Sequence, residues 1–254
     1  MNDSVIVESN NGIAVVYLNE PNSLNALSMR LKEQMQDVLD ALIKDVSIKV
    51  VIFTGKGRAF CAGGDVKAMA DLEYDPIAIK KMMDASARLV ETIRNMPKIT
   101  LAAVHGYAAG AGMSLALSTD LILAEKETKF VLSFKNVGLV PDLGLHYHLT
   151  RIVGEWKAKE WIFKGAKITA EEAHQYGFVI EVTEKGTVLE QTFHLAQELV
   201  QGPTDAFLLS KQLIANTANG SFESVLKMEN DQQTILRGTE YHKKALEAFF
   251  SRKQ

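Results

Sequence analysis

Two runs of small residues each follow an apolar stretch that reads as a buried strand. The first is Phe60-Cys61-Ala62-Gly63-Gly64-Asp65, after Lys49-Val50-Val51-Ile52-Phe53-Thr54. The second is Gly106-Tyr107-Ala108-Ala109-Gly110-Ala111-Gly112, after Ile99 to Val104, and it opens a helix. A helix N-terminus presents unbonded N–H groups and the positive end of the helix dipole. Small residues let a ligand approach that backbone closely. One N–H from each run can hold a developing oxyanion, and losing one such donor costs about 3–4 kcal/mol in well-studied enzymes. Close helix packing explains the same small residues, so the residues alone leave both readings open. A dinucleotide fingerprint does not fit, because Leu115 stands where its third glycine belongs. No Gly-Lys-Ser/Thr marks an ATPase-type phosphate loop.

One acid stands apart. Asp142 ends the largely apolar stretch Phe134-Lys135-Asn136-Val137-Gly138-Leu139-Val140-Pro141-Asp142. A partly desolvated carboxyl there has its pKa raised toward the working range of a general base. The competing expectation is that Asp142 caps a helix beginning near Leu143. No metal site is expected. His146 and His148, two apart, point away from each other on a helix, and no Cys or acid cluster completes a zinc set. Cys61 has no evident His partner, so it is not expected to be a nucleophile. Lys56 or Arg58 can meet a phosphate or simply be solvated.

The elements that must position these residues are readable in outline. Val5–Val7 and Ile13–Leu18 form a hairpin about Asn10-Asn11-Gly12. Ser28 caps a helix carrying Leu31, Met35, Val38, Leu39 and Leu42 at helical spacing. A helix spans Asp75 to Asn95, with Pro76 in its first turn. Ala111–Leu117 is a short helix and Asp120–Ala124 a strand. Strand, strand, helix recurs at roughly 40–50 residues, which predicts stacked turns. Beyond Gly144 the chain is helical: Leu145–Val153, Trp156–Lys164, Ala170–Tyr176, Leu189–Val200, Asp205–Asn216, Phe222–Arg237 and Glu240–Phe250. Val179–Val182 is the one strand expected there. The fold class is therefore α/β, with a core over 1–195 and a helical region over 196–254.

Composition bounds the function. The chain has 254 residues, 47% hydrophobic and 23% charged, enough to bury a sizeable core. A net charge of −3 gives no broad basic field for nucleic acid or an anionic membrane. A single cysteine allows no internal disulfide and is compatible with the cytoplasm. The start, MNDSVIVESNNG, lacks the apolar core of a signal peptide. The uncharged run Ile99–Thr119 is long enough to span a bilayer. Three glycines and His105 interrupt it, so it reads as a buried strand and helix.

Four stretches taken together, in order and spacing, carry a resemblance. They are Leu18-Asn19-Glu20-Pro21-Asn22-Ser23-Leu24-Asn25-Ala26-Leu27, Arg58 to Asp65, Gly106 to Gly112, and Val137-Gly138-Leu139-Val140-Pro141-Asp142. Through them the chain resembles the enoyl-CoA hydratase/isomerase (crotonase) superfamily over essentially its whole length. The resemblance implies a crotonase-like superhelix of stacked ββα turns and a C-terminal helical trimerisation region. It also implies a homotrimer or dimer of trimers, and an acyl-CoA thioester substrate with no cofactor beyond that coenzyme A. The implied oxyanion donors are the backbone N–H groups of Ala62 and Ala111. Coenzyme A is expected against Ser23, Leu24, Ala26 and the loop Ala62, Gly63, Gly64 and Asp65, with Asp65 fixing the loop.

Hydratases of this superfamily activate water with two glutamates. The matching positions here hold Ser114 and, by an ungapped count, Phe134. Its isomerases carry Glu or Asp at the place of Asp142. The chain is most similar to ring-1,2-epoxyphenylacetyl-CoA isomerases, sharing Lys129-Phe130-Val131, Phe134, Gly138-Leu139-Val140-Pro141-Asp142 and Gly144. It departs from them at Leu145-His146-Tyr147-His148. The resemblance implies an isomerase, shifting an enoyl double bond or rearranging a ring epoxide, with Asp142 as base, in fatty-acid or phenylacetate-type catabolism. A hydratase, a thioester hydrolase or dehalogenase, and a silent acyl-CoA binder are the alternatives.

Overall fold

The computed structural model describes residues 3–71 and 74–251. Residues β1 (Val5–Asn10) and β2 (Ile13–Leu18) pair antiparallel around Asn11 and Gly12, both at positive φ as a two-residue hairpin turn requires. Every residue of β2 is buried, as is every residue of β3 (Val50–Gly55) and β4 (Ile99–Val104). Strands covered on both faces read as continuous apolar runs, which is what these segments are. Between them lie α1 (Met29–Lys44), α2 (Val66–Asp71) and α3 (Pro76–Asn95). Ser28 caps α1 by accepting from the Leu31 N–H at 3.1 Å, and Asp75 caps α3.

The chain continues through β5 (Tyr107–Ala109), α4 (Ala111–Leu117), β6 (Leu121–Glu125), β7 (Lys129–Val131) and α5 (Leu145–Lys164). It then passes through β8 (Lys167–Thr169), α6 (Ala170–Gln175), β9 (Glu181–Thr183) and α7 (Val188–Gln201). The larger sheet runs β1-β2-β3-β4-β6-β9, parallel at every pairing after the hairpin. The smaller runs β5-β7-β8. Single bridges from Leu27 to Gly64 and from Cys61 to Ala108 join successive turns on the side of β5. Each turn thus adds a strand to the large sheet and a short extended segment beside it, which is the stacked arrangement the repeat predicts.

Some elements differ from expectation. The two helices expected at Leu145–Val153 and Trp156–Lys164 are both present within α5, parted at Gly154, whose φ of 74° and ψ of 166° are not helical. The strand near Val179 begins at Glu181, and β8 is a second strand in a region expected to hold one. Three residues, Lys167-Ile168-Thr169, are too few to show an alternation.

The stretch Met1–Gln197 forms one compact unit and Glu198–Gln254 a second. The second contains α8 (Thr204–Thr217), α9 (Phe222–Leu236) and α10 (Glu240–Ser251), with α8 packed on α9. Among the described residues none of these three helices has a buried side chain, and Phe222, Ile235, Phe249 and Phe250 are more than half exposed. No described helix is long and apolar enough to cross a membrane.

Asn25 is the clamp of the first turn. Leu24 and Asn25 are both left-handed, at φ 53° and 57°, a costly conformation for residues with a side chain. The fully buried Asn25 side chain holds it. Its Nδ2 donates to the carbonyls of Lys56 and Ala59 at 2.9 and 2.8 Å, and its Oδ1 accepts from the Glu20 N–H at 2.9 Å. Asn25→Ala leaves all three without a partner. It should cost about 2–4 kcal/mol of stability, read by urea unfolding. A loss within error would mean the turn holds itself.

Candidate active site

The two small-residue loops lie side by side. Phe60 N–H donates to the His105 carbonyl at 2.9 Å, Cys61 N–H to Tyr107 at 3.0 Å, and Ala109 N–H returns to Cys61 at 2.9 Å. Glycine is required at the contact. A Cβ on Gly63 would stand 2.4 Å from the Ala109 carbonyl oxygen and 3.2 Å from the Ala111 nitrogen. One on Gly112 would stand 2.3 Å from the Cys61 carbonyl oxygen. Gly110 is the N-cap residue of α4, with no side chain to cap it, and Ala111 is the first helical residue. The Ala111 N–H is therefore one of the unbonded amides of a helix start.

The expectation that Ala62 supplies the second donor needs correction. Its N–H already donates to the Leu24 carbonyl at 2.9 Å. The Gly63 N–H is directed at the Cys61 sulfur. Among the described residues the Gly64 N–H has no partner, and it is the unbonded amide of this loop. Gly63 has a φ of 94°, which reorients the backbone between 62 and 64; residue spacing carries no trace of that.

Asp142 sits where its loop turns sharply, before Leu143 and Gly144 at φ 52° and 81°. It does not cap α5; Gly144 is the N-cap residue there. The Asp142 carbonyl accepts from the Leu145 N–H and from the Ser114 hydroxyl, both at 3.0 Å. The second bond fastens this loop to α4. Asp142 Oδ1 is buried with no hydrogen-bond partner among the described residues. Burial pushes the carboxyl above its ordinary pKa, while its own backbone N–H and the charge of Lys32 pull it back. Ser114 is fully buried, and Phe134 packs beside Gly110, its Cζ 3.7 Å from where a Cβ there would be. Ser114, Phe134 and Asp142 thus all attach to the N-terminal half of α4.

The remaining expected residues gather on the first loop. Leu24 is joined to it by the Ala62 bond, and the Ala26 N–H donates to the Ser23 carbonyl at 3.2 Å in the same turn. Ser23 is exposed, and its hydroxyl donates to the Glu20 carbonyl at 3.0 Å. Asp65 Oδ1 accepts from the Ala68 N–H at 3.1 Å at the start of α2, so it fixes the loop end. Lys56 Nζ lies 3.6 Å over the Tyr17 ring. Burial pushes the Cys61 thiol up to about 12, so it stays protonated. Burial lowers His148 to about 4, helped by Arg94 and Arg151, and leaves it neutral.

One residue of the neighbourhood is absent from the expected set. Lys32 on α1 is buried, and the charges of Asp142 and Asp65 both act on it. The sequence does signal it: Lys32 stands three residues before Met35 and seven before Leu39, a charge on the apolar stripe. Among the described residues no three His, Cys, Asp or Glu side chains are placed to hold a metal.

The family model described as enoyl-CoA hydratase/isomerase matches residues 8–254. The 1,2-epoxyphenylacetyl-CoA isomerase of Escherichia coli is 30% identical over 258 residues, covering 100% of this chain and 97% of that protein. The 2,3-dehydroadipyl-CoA hydratase of the same organism is also 30% identical, over 98% of this chain and 96% of that protein. The crystal structure of an enoyl-CoA hydratase from Polaromonas superposes with a TM-score of 0.94 at 29% identity, covering 98% of this chain and 97% of that one. Isomerase and hydratase are equally similar to this chain, so identity does not choose between the two reactions and the residues must.

Proposed function

Because this chain belongs to the enoyl-CoA hydratase/isomerase family, we propose that it is an acyl-CoA isomerase in which Asp142 is the base. The observation that carries the reading is the buried, unpartnered Asp142 Oδ1, held beside α4 by the Ser114 hydroxyl. A carboxyl oxygen kept from water and from protein donors is basic and available. At the two positions of the hydratase glutamates stand a hydroxyl that is already bonded and a phenyl ring. Neither activates water at neutral pH.

The thioester oxygen sits between the N–H groups of Gly64 and Ala111. Asp142 takes a proton from the carbon next to the thioester, and the electron pair moves onto the carbonyl oxygen, where the two amides stabilise it. The same carboxyl returns the proton two carbons further along, and the double bond moves into conjugation. A proton is moved and none is consumed, so water has no part. The coenzyme A arm lies against Ser23, Leu24, Ala26 and the Ala62–Asp65 loop, and no other cofactor enters the step. The same base and amides serve a ring-epoxide substrate. The exposed apolar residues of α8 to α10 support a homotrimer or a dimer of trimers.

The test is a linear 3-enoyl-CoA, followed for appearance of the conjugated 2-enoyl thioester, with 2-enoyl-CoA hydration measured alongside. Migration without comparable hydration is expected. Hydration faster than migration would overturn the reading.

A further inference from the structure

Lys32 carries a charge that the fold does not fully use. It is 5% exposed, on the face of α1 that otherwise buries Leu31, Met35, Leu39 and Leu42. Its Nζ donates to Ser86 Oγ at 3.1 Å, its one hydrogen bond among the described residues. Ser86 is buried as well, and its hydroxyl proton goes to the Met82 carbonyl at 3.0 Å, so it can only accept from the lysine. An ammonium has three donors. Two are left over in a place that bulk water barely reaches, a costly state unless something completes it.

The surroundings place the ammonium near the candidate site. Lys32 lies one turn after the start of α1, and Leu27, just ahead of that start, is bridged to Gly64 of the first loop. Burial lowers the Lys32 pKa, and the charges of Asp142, Asp65 and its exposed chain neighbour Glu33 act against that by favouring the ammonium. Asp142 and Asp65 belong to the two loops of the candidate site. Asp142 attracts the ammonium, and among the described residues no hydrogen bond joins the two. Base and cation therefore act on each other across the region where the two loops of the candidate site meet α1. A carboxylate at the end of an acyl chain would meet two carboxylates already there. A neutral oxygen carries no net charge for them to repel.

We propose that Lys32 selects the substrate: its two unused N–H groups donate to a neutral oxygen on the acyl group, an epoxide, ring ether or hydroxyl. The enzyme then prefers oxygen-bearing acyl-CoAs to hydrocarbon ones of the same shape. The proposal rests on the acyl-CoA reading above and narrows its substrate class.

The test uses saturated ligands that cannot be isomerised. Cyclohexylacetyl-CoA is compared by titration calorimetry with the tetrahydropyranylacetyl-CoAs that place a ring oxygen at each position in turn. Wild type should bind at least one ether about tenfold or more tighter than the hydrocarbon. Lys32→Met should erase that margin while binding cyclohexylacetyl-CoA at least as well. Should Lys32→Met not fold, Lys32→Gln keeps a neutral donor and should shrink the margin to a few-fold. Equal binding of all ligands by wild type, or a margin that survives Lys32→Met, overturns the proposal. Because nothing is turned over, the result does not depend on Asp142 being the base. Failure of every ligand to bind would instead remove the acyl-CoA reading, and this proposal with it.

Discussion

Asp142→Asn should lower turnover of a 3-enoyl-CoA by about 10²–10⁴-fold, the usual worth of a positioned general base. The change keeps the shape of the side chain and removes only its basicity. The fall belongs in kcat, with substrate affinity nearly unchanged, because Asp142 is assigned to the proton and not to coenzyme A. In wild type, kcat/KM should decline as pH falls through the raised Asp142 pKa, since the base is then protonated. The same substitution should raise stability at neutral pH. The folded chain binds the Asp142 proton more tightly than the unfolded chain does, because burial raises the folded pKa. Stability from this group is full below the unfolded pKa and is lost as pH rises through the folded one. The melting temperature of Asp142→Asn should therefore exceed that of wild type at neutral pH, and the gap should close in acid. A variant that is both active and no more stable would remove Asp142 from the mechanism.

Ala111→Pro should lower kcat/KM by about 10²–10³-fold or more with the fold retained. Proline is tolerated at the first position of a helix, where the missing N–H has no intrahelical partner. Ala111 is that position in α4. The preceding Gly110, at φ 52° and ψ −123°, is the mirror image of the extended conformation that proline requires before it, which glycine adopts freely. The substitution thus deletes one amide donor and sets a ring carbon where the thioester oxygen belongs. Activity should vanish from a protein whose melting curve stays close to wild type. Retained activity would mean that the Ala111 amide holds no oxyanion.

How much of this was legible depended on the scale of the feature. The stacked turns announced themselves because β2, β3 and β4 are continuous apolar runs and because α1 and α3 carry caps, Ser28 and Asp75, that mean the same thing in any context. Strands β5, β7 and β8 did not, since three residues cannot display a period. Within the site, Asp142 stood out as an acid in apolar company, and Ala111 as a small residue opening a helix. The donor on the other loop was expected at Ala62, whose N–H is already bonded, and the unbonded amide is that of Gly64, because which amide is free depends on the twist at Gly63 and on a carbonyl from Leu24. Lys32 escaped for another reason. Its meaning comes from Ser86, Asp65 and Asp142, all distant in sequence.

The bond from the Ser114 hydroxyl to the Asp142 carbonyl also bears on ancestry. On the isomerase reading, placing glutamate at 114 would cut the tether of the present base before a second acid stood at 134 to share a water. The single mutant would lose one chemistry without gaining the other. Paths between the two activities that pass through this position cross a valley, so drift alone will seldom convert such a protein, and lineages on either side will tend to stay there.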